Sequence, residues 1–208
     1  MFTGIVQSQG EVYSIETENN LSRLVVKVDA YLIEALTLGA SIAVNGVCLT
    51  VVSFKLFQDP IQQDKALISF DVIDETLAIS NLALLSVSAF VNIERSLKMG
   101  DELGGHIVSG HVHCKAKLVE RLVTKTNCCL RFSLDNKWKK YILAKGFISI
   151  NGISLTVGDV SKDYFSVHLI PETLARTNLS QLKELDEVNI ECDQQTITIV
   201  TTIERMKL

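Results

Sequence analysis

Two nearly identical heptapeptides limit what this chain can fold into. NGVCLTV runs from Asn45 to Val51 and NGISLTV from Asn151 to Val157, an offset of 106 in a chain of 208 residues. The repeat extends well past seven residues. TGIV (Thr3–Val6) returns as SGHV (Ser109–Val112) at the same offset. ETLAISNL (Glu75–Leu82) returns as ETLARTNL (Glu172–Leu179) at an offset of 97, and VNIE (Val91–Glu94) returns at Val188–Glu191, again at 97. The difference sits in one place. The first half carries FKLFQDPIQQDKAL (Phe54–Leu67) where the second has only SKDY (Ser161–Tyr164). A polar segment with a proline between apolar runs reads as a surface loop. Turn and polar residues match as well as Val and Ile, so the halves are two copies of one fold, each of roughly 100 residues.

Each half reads mostly as strands. Ser22–Ala30, Ser41–Phe54, Ala66–Ile73 and Phe90–Ser96 are rich in Val and Ile with partial alternation. Gly46 and Gly152 mark tight turns between two short strands. Short helices are predicted over Ala30–Gly39 and Lys137–Gly146, where apolar spacings of three and four end at a glycine. Many short strands with little helix indicate an all-β protein of two similar closed barrels in tandem, because closure removes exposed sheet edges. The boundary falls near Ser96–Gly105. It divides the chain into residues 1–96, 97–195 and a C-terminal helix over 196–208 with Ile199, Ile203 and Met206 on one side; alone such a helix is marginal, so it should pack on something.

Composition removes several function classes. The net charge is −4 with no basic stripe, so nucleic acid is not an expected partner. MFTGIVQSQGEV lacks the positive start and apolar run of a signal peptide. No apolar stretch approaches the ~20 residues that span a bilayer. The five cysteines are odd in number and form no C-x-x-C pair, which argues against a disulfide framework or a zinc site and for a reducing cytoplasm.

A motif duplicated with its polar residues intact suggests two similar pockets for similar ligands. Asn-Gly at a turn is structurally sufficient by itself, and Thr50 and Thr156 are ordinary strand residues. The joint recurrence of TGIV/SGHV, CLT/SLT and the ETL blocks says more. Gly4 and Gly110 would let the backbone approach a flat ligand. Departures from symmetry locate the chemistry. Cys48 is replaced by Ser154, and Ile5 by His111. Cys48 also fits a core position, and His106 reads as a structural histidine. A thiol and an imidazole that each change between otherwise matched segments are expected if two pockets hold one molecule in two roles.

MFTGIVQ, NGVCLTV, GGHIVSGHV, KGFISINGISLTV and HLIPETLARTNL together resemble the riboflavin synthase family across nearly the whole chain. The resemblance implies two six-stranded antiparallel Greek-key barrels and a short C-terminal helix. It implies a transferase of riboflavin biosynthesis that turns two molecules of 6,7-dimethyl-8-ribityllumazine into riboflavin and 5-amino-6-(ribitylamino)uracil, with no metal or redox cofactor. It further implies a cytoplasmic homotrimer in which one subunit's first barrel faces a neighbour's second, and association with lumazine synthase. A dismutation needs two copies of one substrate, which gives the repeat a purpose.

Carried over by position, the resemblance implies Gly4, Ile5 and Val6 in the first pocket. It implies Ser154, Leu155, Thr156, Leu169, Ile170, Pro171, Glu172, Thr173 and Leu174 in the second. Cys48, Leu49, Thr50, Asp71, Val72, Ile73, Asp74, Glu75, Thr76, Gly110, His111 and Val112 also match binding segments, and Lys145 precedes the second motif where the family has a lysine. Asp193 matches a late acidic residue, and many members have aspartate where this chain has Asn151. The catalytic candidates are Cys48, His111, Ser154, Thr156 and Asp193. His111 is the type of residue that relays a proton from the acidic 7-methyl group. Cys48 and Ser154 are candidates to add to C7 of the acceptor. The first barrel carries Thr3–Val6, Cys48–Thr50 and Asp71–Thr76 within itself, so residues 1–96 alone are expected to bind the lumazine. The alternatives are a non-catalytic lumazine- or flavin-binding relative, which would have lost Cys48, His111 and Ser154, and a ligand-free tandem barrel.

Overall fold

The computed structural model describes residues 1–57, 64–125 and 127–206. The strands β1 (Ser8–Glu18), β2 (Leu21–Asp29), β3 (Ser41–Val44), β4 (Val47–Phe57), β5 (Lys65–Ile73) and β6 (Phe90–Arg95) close into one barrel, in the order β1-β2-β5-β4-β3-β6. The strands β7 (Cys114–Val123), β8 (Cys128–Ser133), β9 (Phe147–Ile150), β10 (Ile153–Val160), β11 (Phe165–Leu169) and β12 (Glu187–Cys192) close a second barrel with matching order. Neighbouring strands run antiparallel, and β2 pairs with β5 rather than β3, a Greek-key connection. Both expected barrels are therefore present. The strand β1 escapes the sequence pattern because SQGEVYSIETE is mostly polar. Part of the expected surface loop, residues 58–63, lies outside the described residues.

Alternation builds each interior. Leu24, Val26 and Val28 on β2 are buried, and they face Phe70, Ile68 and Ala66 of β5 in register. Each such Val, Leu or Ile contributes about 1.5–3 kcal/mol by leaving water. The predicted helices are shorter than their apolar spacing suggests. Ala30–Gly39 yields only a 3-10 turn at Ala30–Ile33, since Ala35 at φ 50° has left helical geometry. Lys137–Gly146 yields α2 (Asn136–Lys139), capped by Asp135. The two ETL blocks form α1 (Asp74–Ile79) and α3 (Pro171–Arg176), which follow directly on β5 and β11. The C-terminal helix α4 (Gln194–Met206) starts two residues earlier than expected, and 207–208 lie outside the described residues. The helix packs on the second core through Ile197, while Ile199, Ile203 and Met206 stay exposed in the single chain. Among the described residues no helix is long and apolar enough to cross a membrane.

The asparagines of the repeated motif join the barrels. Asn45 Oδ1 accepts hydrogen bonds from Asn92 N (2.9 Å) and Asn178 Nδ2 (3.0 Å). Asn151 Oδ1 accepts from Asn189 N (2.8 Å) and Asn81 Nδ2 (3.1 Å). Each set of three takes two asparagines from one half and one from the other, and all six side chains are buried. Asn92 Nδ2 also donates to Asn151 O (3.0 Å), and Asn189 Nδ2 to Asn45 O (2.8 Å). Gly46 and Gly152 meet at the centre, where a Cβ on Gly46 would stand 2.5 Å from Gly152 N. Asn151 therefore belongs to this seam, in an acceptor role that an aspartate oxygen also fills. The Asn178→Ala variant takes one buried partner from each of Asn92 Nδ2 and Asn45 Oδ1, which keep only Asn151 O and Asn92 N. Its urea unfolding is expected to lose about 2–4 kcal/mol, and the same loss is expected of Asn81→Ala.

Candidate active site

Cys48 and Ser154 occupy matching, half-buried places on β4 and β10, just past the Asn-Gly turns. At each place a glycine loop from the opposite half takes the backbone N–H. Ser154 N donates to Gly4 O at 2.8 Å, and Cys48 N donates to Gly110 O at 2.9 Å. Gly4 has φ +75° and Gly110 φ +82°, and a Cβ on either would lie 2.6 Å from the Cβ of the residue it meets. Val6 packs on the second core and Val112 sits in the first. This corrects the expectation that Thr3–Val6 completes the first barrel's own pocket. The two leading segments exchange, joined to one another by reciprocal hydrogen bonds between Phe2 and Val108.

Two candidate pockets result. One combines Cys48, Leu49 and Thr50 with Gly110, His111 and Val112, on the barrel that also carries Asp71–Thr76. The other combines Ser154, Leu155 and Thr156 with Gly4, Ile5 and Val6, on the barrel that carries Leu169–Leu174. Leu49, Val72 and Val112 are buried in the first core and Leu169 in the second. Of the expected residues, Thr50, Ile73, Asp74, Glu75 and His111 in the first group and Ile5, Thr156, Ile170, Pro171 and Glu172 in the second are exposed. Thr76, Leu155, Thr173 and Leu174 are half-buried. A cavity of about 700 Å³ opens beside Ile5 and Val6, with Tyr31, Arg95, Lys98 and Arg176 among its lining.

Not every expected residue joins these groups. Asp71 is held by Arg23 through two hydrogen bonds of 2.8 and 3.1 Å, which keep its carboxyl below the usual range. Asp193 accepts from Thr196 N and Oγ1 and so caps α4. Lys145 is exposed at φ 67°. Its N–H donates to Val157 O, as Gly39 N does to Val51 O in the first half. A lysine in a left-handed position that the first copy gives to glycine is a further break in symmetry.

Sequence reasoning passed over His106. Its Nδ1 lies 2.7 Å from Ser154 Oγ, and its ring stacks on Phe147 at 5.0 Å. Burial pushes its pKa below the usual histidine value, against a smaller opposing pull from Asp193. A neutral imidazole on a serine hydroxyl is a general base in place. The repeat carries no signal for it, since an offset of 106 leaves His106 without a counterpart in the first half. The second pocket therefore pairs serine with histidine, while the first holds Cys48.

The lumazine binding domain family matches residues 3–96 and again 109–193. The riboflavin synthase of Escherichia coli (strain K12) is 45% identical over 207 residues, covering 99% of this chain and 93% of the relative. That of Chlamydia pneumoniae is 43% identical, covering 99% and 96%. A crystal structure of LumP complexed with riboflavin superposes with a TM-score of 0.80 at 26% identity, covering 92% of this chain and 99% of the other. LumP complexed with 6,7-dimethyl-8-(1'-D-ribityl) lumazine gives 0.79 at 24% identity, a likeness of fold. Two matched lumazine binding domains and full-length similarity at this level show that the chain belongs to the riboflavin synthase family.

Proposed function

We propose that this protein makes riboflavin and 5-amino-6-(ribitylamino)uracil from two molecules of 6,7-dimethyl-8-ribityllumazine, moving a four-carbon unit from one to the other. The observation that carries the reading is the crossed pairing of Gly4 with Ser154 and Gly110 with Cys48. It builds the same kind of pocket twice while leaving different side chains in each. One lumazine gives up the carbons of C6, C7 and their methyl groups, and the other receives them. Holding two such rings in mutual register supplies roughly 7–11 kcal/mol of the barrier, the largest single contribution.

The asymmetric residues divide the remaining work. Ser154, with His106 on its hydroxyl, adds to C7 of the acceptor while His106 takes the hydroxyl proton. His111, exposed beside Gly110, relays a proton from the 7-methyl group of the other ring. Cys48 and Thr50 line that first pocket, and Thr156 the second. Asp193 acts through the charge it presents to His106. The exposed Ile199, Ile203 and Met206 of α4 support a homotrimer in which pockets of neighbouring chains face each other. A cytoplasmic setting and association with lumazine synthase complete the proposal.

Incubating protein freed of metals and cofactors with the lumazine alone tests this. Growth of riboflavin absorbance is the expected result. Bound but unchanged lumazine would mark a binding protein, and absence of binding a structural tandem barrel. The His106→Ala variant is expected to lower turnover by about 10²-fold with lumazine affinity little changed. Because burial keeps His106 neutral, the acid limb of the wild-type pH profile should lie below about 6.5, the ordinary histidine value. An acid limb above it would remove His106 from the mechanism.

A further inference from the structure

Two buried carboxylates beside the crossing loops have no part in the chemistry above. Glu94 on β6 and Glu191 on β12 close the two VNIE repeats and are 4% and 5% exposed. Glu94 accepts from Thr3 N (2.6 Å), Thr3 Oγ1 (2.7 Å) and Gly4 N (3.1 Å). Glu191 accepts from Ser109 N (2.7 Å), Ser109 Oγ (2.8 Å) and Gly110 N (2.9 Å). Burying a carboxylate is unfavourable, and burial raises the pKa of both against these hydrogen bonds. Each carboxylate takes a loop N–H on each of its two oxygens, more than the single acceptor oxygen of an amide offers. The same arrangement, built twice from the same atoms, points to a task.

The task is visible on the far side of each loop. Gly4, whose N–H meets Glu94, presents its carbonyl to Ser154 N, and Gly110, whose N–H meets Glu191, presents its carbonyl to Cys48 N. Left-handed glycines leave a loop free to tilt. Three donors received on two carboxylate oxygens remove that freedom and so aim the carbonyl.

We propose that Glu94 and Glu191 are positioning residues that act crosswise: Glu94 of the first barrel sets Ser154 in the second pocket, and Glu191 of the second barrel sets Cys48 in the first. The proposal rests on the two-pocket reading for its catalytic consequence, but its geometric core does not. An amide cannot replace either carboxylate, because its NH₂ would face one of the loop's N–H groups.

Hydrogen exchange read at single amides tests the geometry without ligand. Glu94→Gln is expected to speed exchange at Gly4 and Ser154 by about tenfold or more and to leave Gly110 and Cys48 unchanged; Glu191→Gln should do the reverse. Turnover in double variants gives the catalytic readout. Glu94→Gln should be non-additive with Ser154→Ala and additive with Cys48→Ser, and Glu191→Gln the opposite. Thr3→Val and Ser109→Ala keep the carboxylate and remove the hydroxyl, which donates to it and accepts from Ile5 N or His111 N; they should show the same crossed pattern more weakly, which covers a Gln variant that does not fold. Effects confined to the mutated residue's own barrel, or shared equally by both pockets, would overturn the proposal. A wild-type protein that makes no riboflavin would instead sink the functional reading, while exchange would still decide the crosswise positioning.

Discussion

Replacing Gly110 by alanine is expected to cut riboflavin formation by about a hundredfold while both barrels still fold. The added Cβ would lie 2.6 Å from Cys48 Cβ, 2.9 Å from Cys48 N and 2.9 Å from the edge of Phe2. None of these is the far end of a flexible chain, so the loop itself must move. The left-handed φ adds roughly 1–2 kcal/mol of strain to any L side chain there. Relief displaces His111 and opens the bond from Cys48 N to Gly110 O. A shift near 1 Å between reacting groups costs about 10²-fold in rate. Gly4→Ala is the matching experiment, with contacts of 2.6 and 2.7 Å to Ser154. Steady-state kinetics beside thermal unfolding separates the effects. Normal turnover in both variants would show that neither loop shapes a working pocket.

The repeat made the twofold plan legible, because duplicated strands, turns and polar residues survive as text. The contrast of Cys48 with Ser154 was legible for the same reason, since a change stands out only against a matched background. The exchange of loops was not. It rests on backbone hydrogen bonds between residues about 150 and 60 positions apart, Gly4 with Ser154 and Cys48 with Gly110, and a glycine's carbonyl leaves no mark in a sequence. Asn45 and Asn151 hid their role because an Asn-Gly turn is sufficient reason for an asparagine. Both do sit in such turns, at φ 47°, and hold the seam as well. His106 was obscured by having no partner in the repeat. The shortened helices at Ala30 and Asn136 show the limit of apolar spacing, which tertiary packing overrides in segments this brief.

The crossed loops also change what half a chain can do. A fragment of residues 1–96 lacks Gly110–Val112, so the Cys48 pocket is open on one side. Its own Thr3–Val6 has no Ser154 to meet, and Asn45 and Asn92 lose Asn178. As a monomer it is expected to bind the lumazine at least about tenfold more weakly than the intact chain, the consequence of losing one loop's contacts and order. The repeat offers a repair. Asn81 stands where Asn178 stands in the second half, and Gly4 where Gly110 does. Two copies of the fragment can therefore satisfy one another, with Asn81 of each completing the partner's asparagine set and Gly4 of each reaching the partner's Cys48 N. Binding should then rise with fragment concentration in step with dimer formed, followed by sedimentation and fluorescence titration on the same samples. Such a dimer holds two identical pockets and no pairing of Ser154 with His106. It should hold two lumazines and form riboflavin far more slowly than the whole protein, because neither bound ring meets the serine that would make it the acceptor. Tight binding by a monomeric fragment would mean that the first barrel is complete without its neighbour's loop. Full activity from the dimer would mean that the asymmetry between Cys48 and Ser154 has no bearing on the reaction.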